Sequence, residues 1–231
     1  NHATGLGVVY VTEKAFEHCH IPFEGSKIVI QGFGNVGSFA ALFAHQRGAK
    51  IIAVSDVNGG IFNGDGFNVP DLIEFMKTHK TVKDFPKSQP ISNEALLELE
   101  CDALLPCALE GQIDLHNAEK IKAKVIVEGA NGPISNPATK VLHKRGIFIA
   151  PDVVANGGGV IVSYFEWVQD IMSFFWDESE IDNRLKSIIT KAFDNIVKFK
   201  IEKNCDMRSA AMAVSIKRLE KAMLLRGLYP R

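Results

Sequence analysis

The sequence lacks the features that mark membrane proteins and nucleic-acid-binding proteins. No window approaches ~18 uninterrupted apolar residues, so we expect no transmembrane helix. The 26 basic and 27 acidic side chains give a net charge of −1. That charge is too small for a bulk electrostatic attraction to nucleic acid or to an anionic membrane. We therefore predict neither a nucleic-acid partner nor a membrane partner.

Cysteine is also scarce. The four cysteines are Cys19, Cys101, Cys107 and Cys205, and they form no CxxC pair. We predict reduced thiols in a reducing compartment. The cytoplasm is the compartment we expect, and the mitochondrial matrix is the alternative. Because a chain of 231 residues can bury a large apolar core, it needs no disulfide or metal to hold it together.

Short apolar strands alternate with helical stretches along the first two thirds of the chain. The pattern predicts strands at Lys27–Gln31, Ile51–Val54, Ala103–Leu105, Val125–Val127 and Ile147–Ile149, and helices at Val8–His18 and Asn35–Arg47. Glycines at 59, 60, 64 and 66 indicate a loop or hairpin after the second strand, and Pro70 begins a further helix. This alternation favours βαβ units and a mostly parallel sheet with helices on both faces.

The strand pattern stops near residue 155. Three long helices are predicted beyond it, at Val160–Trp176, Glu180–Asn204 and Met207–Arg226, with Gly227 and Pro230 after the last. The first is rich in aromatic residues, for which we predict core or interface packing because their neighbours are not basic. We expect a single domain over residues 1–231 whose C-terminal helical segment covers about 156–231.

A glycine-rich turn lies where the first strand meets the next helix. Residues 32–37 read Gly-Phe-Gly-Asn-Val-Gly, the fingerprint of a turn that binds the pyrophosphate of a dinucleotide at a helix N-terminus. Asp56 follows Gly37 by 19 residues, and its carboxylate can accept hydrogen bonds from both ribose hydroxyls of adenosine. No Arg or Lys follows it closely to receive a 2′-phosphate, which favours NAD over NADP. The alternative is a plain glycine-rich turn beside a solvated aspartate.

We therefore predict a Rossmann-like, doubly wound α/β fold with a cofactor site at this turn. The residues assigned to the turn and to the adenosine ribose are Gly32, Phe33, Gly34, Asn35, Val36, Gly37, Asp56 and Val57.

Other polar residues are weaker candidates. Asn131 and Asn156 each follow a strand, where α/β sheets present ligands, although asparagine beside glycine is also typical of plain turns. His18-Cys19-His20 has no partner ligands, so we predict no metal site. Cys107 has no accompanying histidine motif, so we do not expect it to be a nucleophile.

The motifs taken together resemble the C-terminal, cofactor-binding half of the glutamate dehydrogenase branch of the Glu/Leu/Phe/Val dehydrogenase family. The resemblance covers essentially the whole chain. It rests on the strings Ala3–Gly7, Gly32–Gly37, Ser55–Asp56, Pro106–Ala108, Glu128–Pro133, Pro151–Val160 and Ser163–Trp167, which occur in the family's order.

The resemblance implies NAD(P)-dependent, reversible oxidative deamination of L-glutamate to 2-oxoglutarate and ammonia by a parent homo-hexamer. It adds Cys107 and Ala108 as a wall beside the cofactor and Asn131 and Asn156 near the nicotinamide riboside. Thr4 matches a position that reaches both the nicotinamide amide and the substrate. The implied substrate contacts are Thr4, Val160 and Ser163. A serine at 163 favours a substrate carboxylate, where the leucine and phenylalanine branches carry an apolar residue.

Two departures from the family limit the expected activity. The N-terminal domain, which carries the lysine and aspartate of the chemistry, has no counterpart here, and the chain begins at Asn1 without methionine. The antenna insertion of animal members also has no room after the aromatic helix. We expect this chain to bind NAD, with NADP possible, but not to turn over alone. The alternatives are a leucine, phenylalanine or valine dehydrogenase, or a nucleotide-binding module without catalysis.

Overall fold

The computed structural model describes residues 2–227, and Pro230 lies outside them. Within that range the helices are α1 Ala3–Cys19, α2 Asn35–Gln46, α3 Val69–His79, α4 Asn93–Leu97, α5 Asn136–Lys144, α6 Asp152–Ala155, α7 Gly158–Met172, α8 Glu178–Lys203 and α9 Met207–Arg226. The strands are β1 Lys27–Gln31, β2 Lys50–Asp56, β3 Gly59–Phe62, β4 Gln89–Ile91, β5 Ala103–Pro106, β6 Val125–Val127 and β7 Phe148–Ala150.

The strands form one sheet in the order β4-β3-β2-β1-β5-β6-β7. β1 pairs in parallel with β2 on one side and with β5 on the other, so the strand order reverses beside β1. β3 pairs antiparallel with both of its neighbours, β2 and β4, and every other pairing among the strands described is parallel. This confirms the predicted α/β fold with a mostly parallel sheet. A crevice at the reversal point is where such sheets bind ligands.

Alternation along β1 explains why helices cover both faces of the sheet. Ile28 and Ile30 belong to a core shared with α1, α2 and α8, while Val29 between them belongs to a second core with α4 and α5. All three side chains are fully buried. Successive residues of a strand point to opposite faces, so a strand of apolar residues must be buried on both.

Several helix boundaries differ from the prediction. α1 begins at Ala3 rather than Val8, and its first turns are buried. α7 begins at Gly158 and ends at Met172 rather than at Trp176, because Ser173 adopts a left-handed conformation with φ 50°. A serine is not a typical left-handed helix terminator, so the pattern alone did not indicate this end.

The aromatic segment divides into buried and exposed residues. Phe165 is buried and packs edge-on against Trp176. Trp167, Phe174 and Phe175 are 58%, 63% and 71% exposed. Core packing is therefore confirmed for Phe165, and the interface role of the exposed residues stays a prediction. No helix in the described part of the chain is long and apolar enough to cross a membrane.

The long helix α8 packs on α1 and shares its core. Leu185, Ile189, Phe193 and Ile196 form its buried stripe, and these residues belong to the same apolar cluster as Ile28 and Ile30 of β1. Ile189 Cδ1 lies against Gly7 of α1. These contacts support the expectation that the C-terminal helices and the sheet fold as one unit.

Substitution of two adjacent isoleucines tests this expectation. Ile189 is 1% exposed and Ile188 is 44% exposed. We expect Ile189→Ala to lower the free energy of unfolding by about 2–5 kcal/mol, because it opens a cavity between α8 and α1. The control, Ile188→Ala, should lower it by less than about 1 kcal/mol.

Urea denaturation followed by circular dichroism and by tryptophan fluorescence would measure both values. A separate, earlier transition of the helices in the Ile189→Ala variant would contradict a single folding unit.

Candidate functional site

The turn between β1 and α2 depends on glycines at its first and last positions. Gly32 has φ +90°, and a Cβ there would lie 2.7 Å from Ala108 Cα. A Cβ on Gly37 would collide with the carbonyl oxygen of Gly32. The backbone of this turn is therefore closed to any side chain at either position.

Gly34 has a different role in the same turn. It is the N-cap residue of α2, has ordinary negative φ, and makes no side-chain capping bond. A Cβ on Gly34 would meet nothing within 4 Å. The first N–H groups of a helix have no partner within it, so the start of α2 presents free donors and a positive dipole end to the open space.

Asp56 ends β2 beside this turn. Its Oδ1 accepts a hydrogen bond from the Asn58 amide at 2.7 Å, and its Oδ2 accepts one from the Val82 amide at 2.7 Å. Val57, next to it, is 98% exposed. The carboxylate is held in place while each oxygen keeps a free lone pair.

Asp56 and Val57 border a cavity of about 690 Å³ together with Gly32, Phe33 and Gly34. Lys80 also lines this cavity, although the sequence showed no cation close after Asp56. Lys80 is far from Asp56 in sequence but directly follows α3. The hydrogen bond from the Val82 amide to Asp56 brings this segment back to the end of β2.

A second cavity, of about 840 Å³, adjoins the first along Cys107, Ala108 and Leu109, which line both. It brings together seven of the predicted residues: Thr4, Val36, Cys107, Ala108, Asn131, Asn156 and Val160. The Asn156 side-chain amide donates to Asn131 Oδ1 at 2.7 Å. The two cavities form one elongated cleft along the carboxyl ends of β2, β1, β5 and β6.

Three predicted residues do not line this cleft. Asn35 and Gly37 lie in the first turn of α2, where the lack of a side chain on Gly37 lets the helix pack against the Gly32 carbonyl oxygen. Ser163 is exposed on α7, one turn beyond Val160. Its contact with a substrate carboxylate stays a prediction.

The sequence analysis set aside Cys107 as a nucleophile and the His18-Cys19-His20 string as a metal site. Burial raises the pKa of the Cys107 thiol to about 12, so the thiolate needed for attack is scarce at neutral pH. Among residues 2–227, no group of three or more His, Cys, Asp or Glu side chains is placed to hold a metal ion.

A buried ion pair lies behind the second cavity. The Glu128 side chain is fully buried, and Arg208 Nη2 donates to Glu128 Oε2 at 2.7 Å. Arg208 Nη1 also lies 3.3 Å from Asp152 Oδ1. Burial raises the pKa of the Glu128 carboxyl to about 7, and nearby Asp152 adds to the rise, while Arg208 and the Asp152 amide oppose it.

Comparison with known proteins identifies the family. The family model described as Glutamate/Leucine/Phenylalanine/Valine dehydrogenase matches residues 1–227. The chain belongs to this family.

Individual relatives agree with the family model. The chain is 50% identical to the glutamate dehydrogenase of Thermotoga maritima, covering 99% of the chain and 55% of that protein. It is 42% identical to the catabolic NAD-specific glutamate dehydrogenase of Bacillus subtilis, in an alignment that covers 97% of the chain and 53% of that protein. The crystal structure of the leucine-bound, hetero-hexameric glutamate dehydrogenase of Thermus thermophilus superimposes with a TM-score of 0.92 at 30% identity. The superposition covers 99% of this chain and 54% of that chain. The chain thus spans about half the length of the relatives it matches.

The cleft of this dehydrogenase-family chain also contains residues that sequence reasoning missed. Gln31 is buried at the end of β1, and its side-chain amide donates to Asn93 Oδ1 at 2.8 Å and to Gln112 Oε1 at 2.6 Å. All three side chains line the first cavity, as does Ser55, whose Oγ accepts from the Gly32 amide at 3.3 Å. The signal for Gln31 was a polar residue ending a buried strand just before the glycine turn. Asn93 and Gln112 had no such local signal.

The raised pKa of Glu128 predicts how its contribution to stability in this family member depends on pH. Because the folded-state pKa lies above the ordinary value, ionisation opposes folding as pH rises from about 4.5 to about 7. Glu128→Gln removes this pH-dependent loss of stability. We expect the free energy of unfolding of the variant, relative to wild type, to rise between pH 5 and pH 8 by up to about 3 kcal/mol.

Urea denaturation at both pH values would measure this difference. Glu119→Gln, at a side chain that is 72% exposed, controls for the loss of one negative charge. A Glu128→Gln difference that stays constant with pH would show that Glu128 is ionised throughout the range.

Proposed function

We propose that the chain is the cofactor-binding half of an NAD-dependent dehydrogenase that oxidatively deaminates L-glutamate to 2-oxoglutarate and ammonia, and that reverses this reaction. The observation that carries the proposal is the single cleft joining the uncapped start of α2 and Asp56 at one end to Asn131, Asn156 and Thr4 at the other. We propose that the catalytic lysine and aspartate belong to the other half of the parent enzyme, so that this chain binds cofactor without turnover.

The first cavity suits the adenosine and pyrophosphate part of a dinucleotide. Open space at Gly34 lets a phosphate approach the backbone, and the first turn of α2 offers it N–H donors. Asp56 keeps an acceptor on each oxygen for the two ribose hydroxyls. Exposed Val57 can cover one face of the adenine.

The second cavity suits the nicotinamide part. Asn131 and Asn156 offer amide groups to the riboside, and Thr4 of α1 and Val160 of α7 line the same cavity. The nicotinamide supplies the hydride acceptor and donor when the cofactor is bound. The residues of this chain orient the ring and exclude water from one side of it.

Glutamate is proposed as the substrate on two grounds. The matched relatives from Thermotoga maritima and Bacillus subtilis are both named glutamate dehydrogenases. Ser163 offers a hydroxyl on the same helix as Val160, where it can donate to a side-chain carboxylate. An apolar amino acid is the alternative substrate within the family, and an exchange of Ser163 for valine in the parent enzyme distinguishes the two by its effect on glutamate turnover.

For the assembly we propose a homo-hexamer of the parent protein, since the matched Thermus thermophilus structure is hexameric. We propose the cytoplasm as the compartment, because all four cysteines, which lie among the described residues, are free thiols.

Replacement of Gly34 tests the cofactor site. A Cβ at Gly34 meets no protein atom, so we expect Gly34→Ala to fold with an unchanged melting temperature. It should bind NADH about tenfold more weakly or worse, because the methyl group occupies the approach of the phosphate. Isothermal titration calorimetry would measure this loss.

The control is Gly64→Ala, at an exposed glycine after β3 whose added Cβ makes only an ordinary contact with Phe62. It should bind NADH as wild type does. NADH binding that is equal in both variants would exclude the Gly32–Gly37 turn as the phosphate site.

The pair Asp56 and Lys80 tests the choice between cofactors. Wild type should bind NADH more tightly than NADPH, because the Asp56 carboxylate repels a 2′-phosphate. We expect Asp56→Asn to raise the affinity for NADPH relative to NADH by about tenfold, since the amide removes one like-charge contact. Lys80→Met should weaken NADPH binding and leave NADH binding unchanged. Equal wild-type affinities for the two cofactors would refute the role given to Asp56.

A further inference from the structure

One cation outside the cofactor cleft holds together the two loops that form its nicotinamide end. Arg208 lies in the first turn of α9 and lines neither cavity of the cleft. Its guanidinium reaches both oxygens of Glu128 and one oxygen of Asp152. These three charged groups form a network that the proposed chemistry does not use.

Each carboxylate of the network begins one of the two loops. Glu128 follows β6 directly, and the loop after it carries Asn131. Asp152 begins α6, and Asn156 follows the end of that helix. Arg208 therefore fixes the base of both loops at once.

Further hydrogen bonds carry this restraint towards the cleft. The Asp152 amide donates to Glu128 Oε2 at 2.8 Å, and Asp152 Oδ2 accepts from the Gly132 amide at 2.8 Å. The bond from Asn156 to Asn131 closes the far end at 2.7 Å. The two asparagines are thus held in one relative position by a chain of bonds that starts at Arg208.

The N-terminus of α9 is itself anchored. The Asp206 carboxylate accepts from the Ser209 amide at 2.8 Å and from the Ser209 hydroxyl at 2.7 Å. Met207, beside Arg208, is buried in the main apolar core. Arg208 therefore approaches the network from a helix that is capped and packed.

We propose that Arg208 is a positioning residue for the nicotinamide end of the bound cofactor. Without its guanidinium, the buried Glu128 carboxyl and the partly buried Asp152 carboxylate would lose the donor that both accept from, and the bases of the two loops would no longer be joined to α9. The adenosine end, formed by Gly32–Gly37 and Asp56, shares no bond with this network. The inference rests on the proposed function, because it assigns the nicotinamide to the asparagine end of the cleft.

The test compares two ligands in the same variant. ADP occupies only the turn and the Asp56 end, whereas NADH also occupies the asparagine end. In Arg208→Met we expect the affinity for NADH to fall about tenfold, because the loops lose their alignment, while the affinity for ADP changes less than about twofold. Isothermal titration calorimetry on the purified protein would give both values.

Arg145→Met is the matched control. Arg145 is another partly buried arginine, which donates to the backbone carbonyls of Ala118 and Ile121, and none of these residues lines the cleft. It should lower the melting temperature without changing the ratio of the NADH and ADP affinities. Arg208→Lys should recover part of the NADH affinity, because a lysine retains the charge but reaches fewer of the three oxygens.

A second variant keeps the test decisive where Arg208→Met folds poorly. Asp152→Ala leaves the Glu128–Arg208 pair intact and removes the bond to Gly132, and it should show the same selective loss of NADH affinity. Equal weakening of NADH and ADP, or a selective loss in Arg145→Met, would overturn the positioning role. Wild-type protein that binds neither ligand would instead refute the proposed function.

Discussion

The close approach of α1 to α2 and α7 is the constraint on which the cleft depends. A Cβ on Gly5 would lie 2.7 Å from Phe39 Cβ of α2, and a Cβ on Gly7 would lie 3.2 Å from Gly158 Cα of α7. These glycines let three helices meet nearly backbone to backbone. Thr4 therefore reaches the same cavity as Asn131 and Val160, although the three are far apart in sequence. Larger residues at these contacts would push α1 away from α2 and α7, and the cleft between these helices would widen.

The sheet was predictable because its strands are short apolar runs, and a strand buried on both faces leaves that pattern in any sequence. β4 could not be predicted from the sequence, since Gln89-Pro90-Ile91 is polar, short and mostly exposed. α5 was not predicted either, although Ser135 caps it and Pro137 lies in its first turn. Helix ends at Ser173 and Asn204 depend on left-handed backbone at residues other than glycine. Asparagine is a known left-handed terminator, and the helix end at Asn204 was predicted, whereas serine is not typical there and the end at Ser173 was not predicted.

Around the candidate site, too, some residues could be predicted from the sequence and others could not. The glycine turn is predictable because close backbone packing allows no side chain at Gly32 or Gly37, and that requirement is local. Lys80 reaches the cleft only through the bond between Val82 and Asp56. Arg208 stands 80 residues from its partner Glu128, and in sequence it is an ordinary arginine in the first turn of a helix. Neither position carries a sequence signal, because each is set by the folded topology.

The β4 edge of the sheet affects whether one chain can pair with another while it folds. β4 is only three residues long, is mostly exposed, and has Pro90 at its centre. Proline has no N–H, so a second chain that tried to extend the sheet here would find a broken row of donors. Parallel sheets form slowly, because their pairings join distant segments, and partly folded chains expose strand edges meanwhile. This edge is therefore protected from intermolecular β-pairing during folding as well as afterwards.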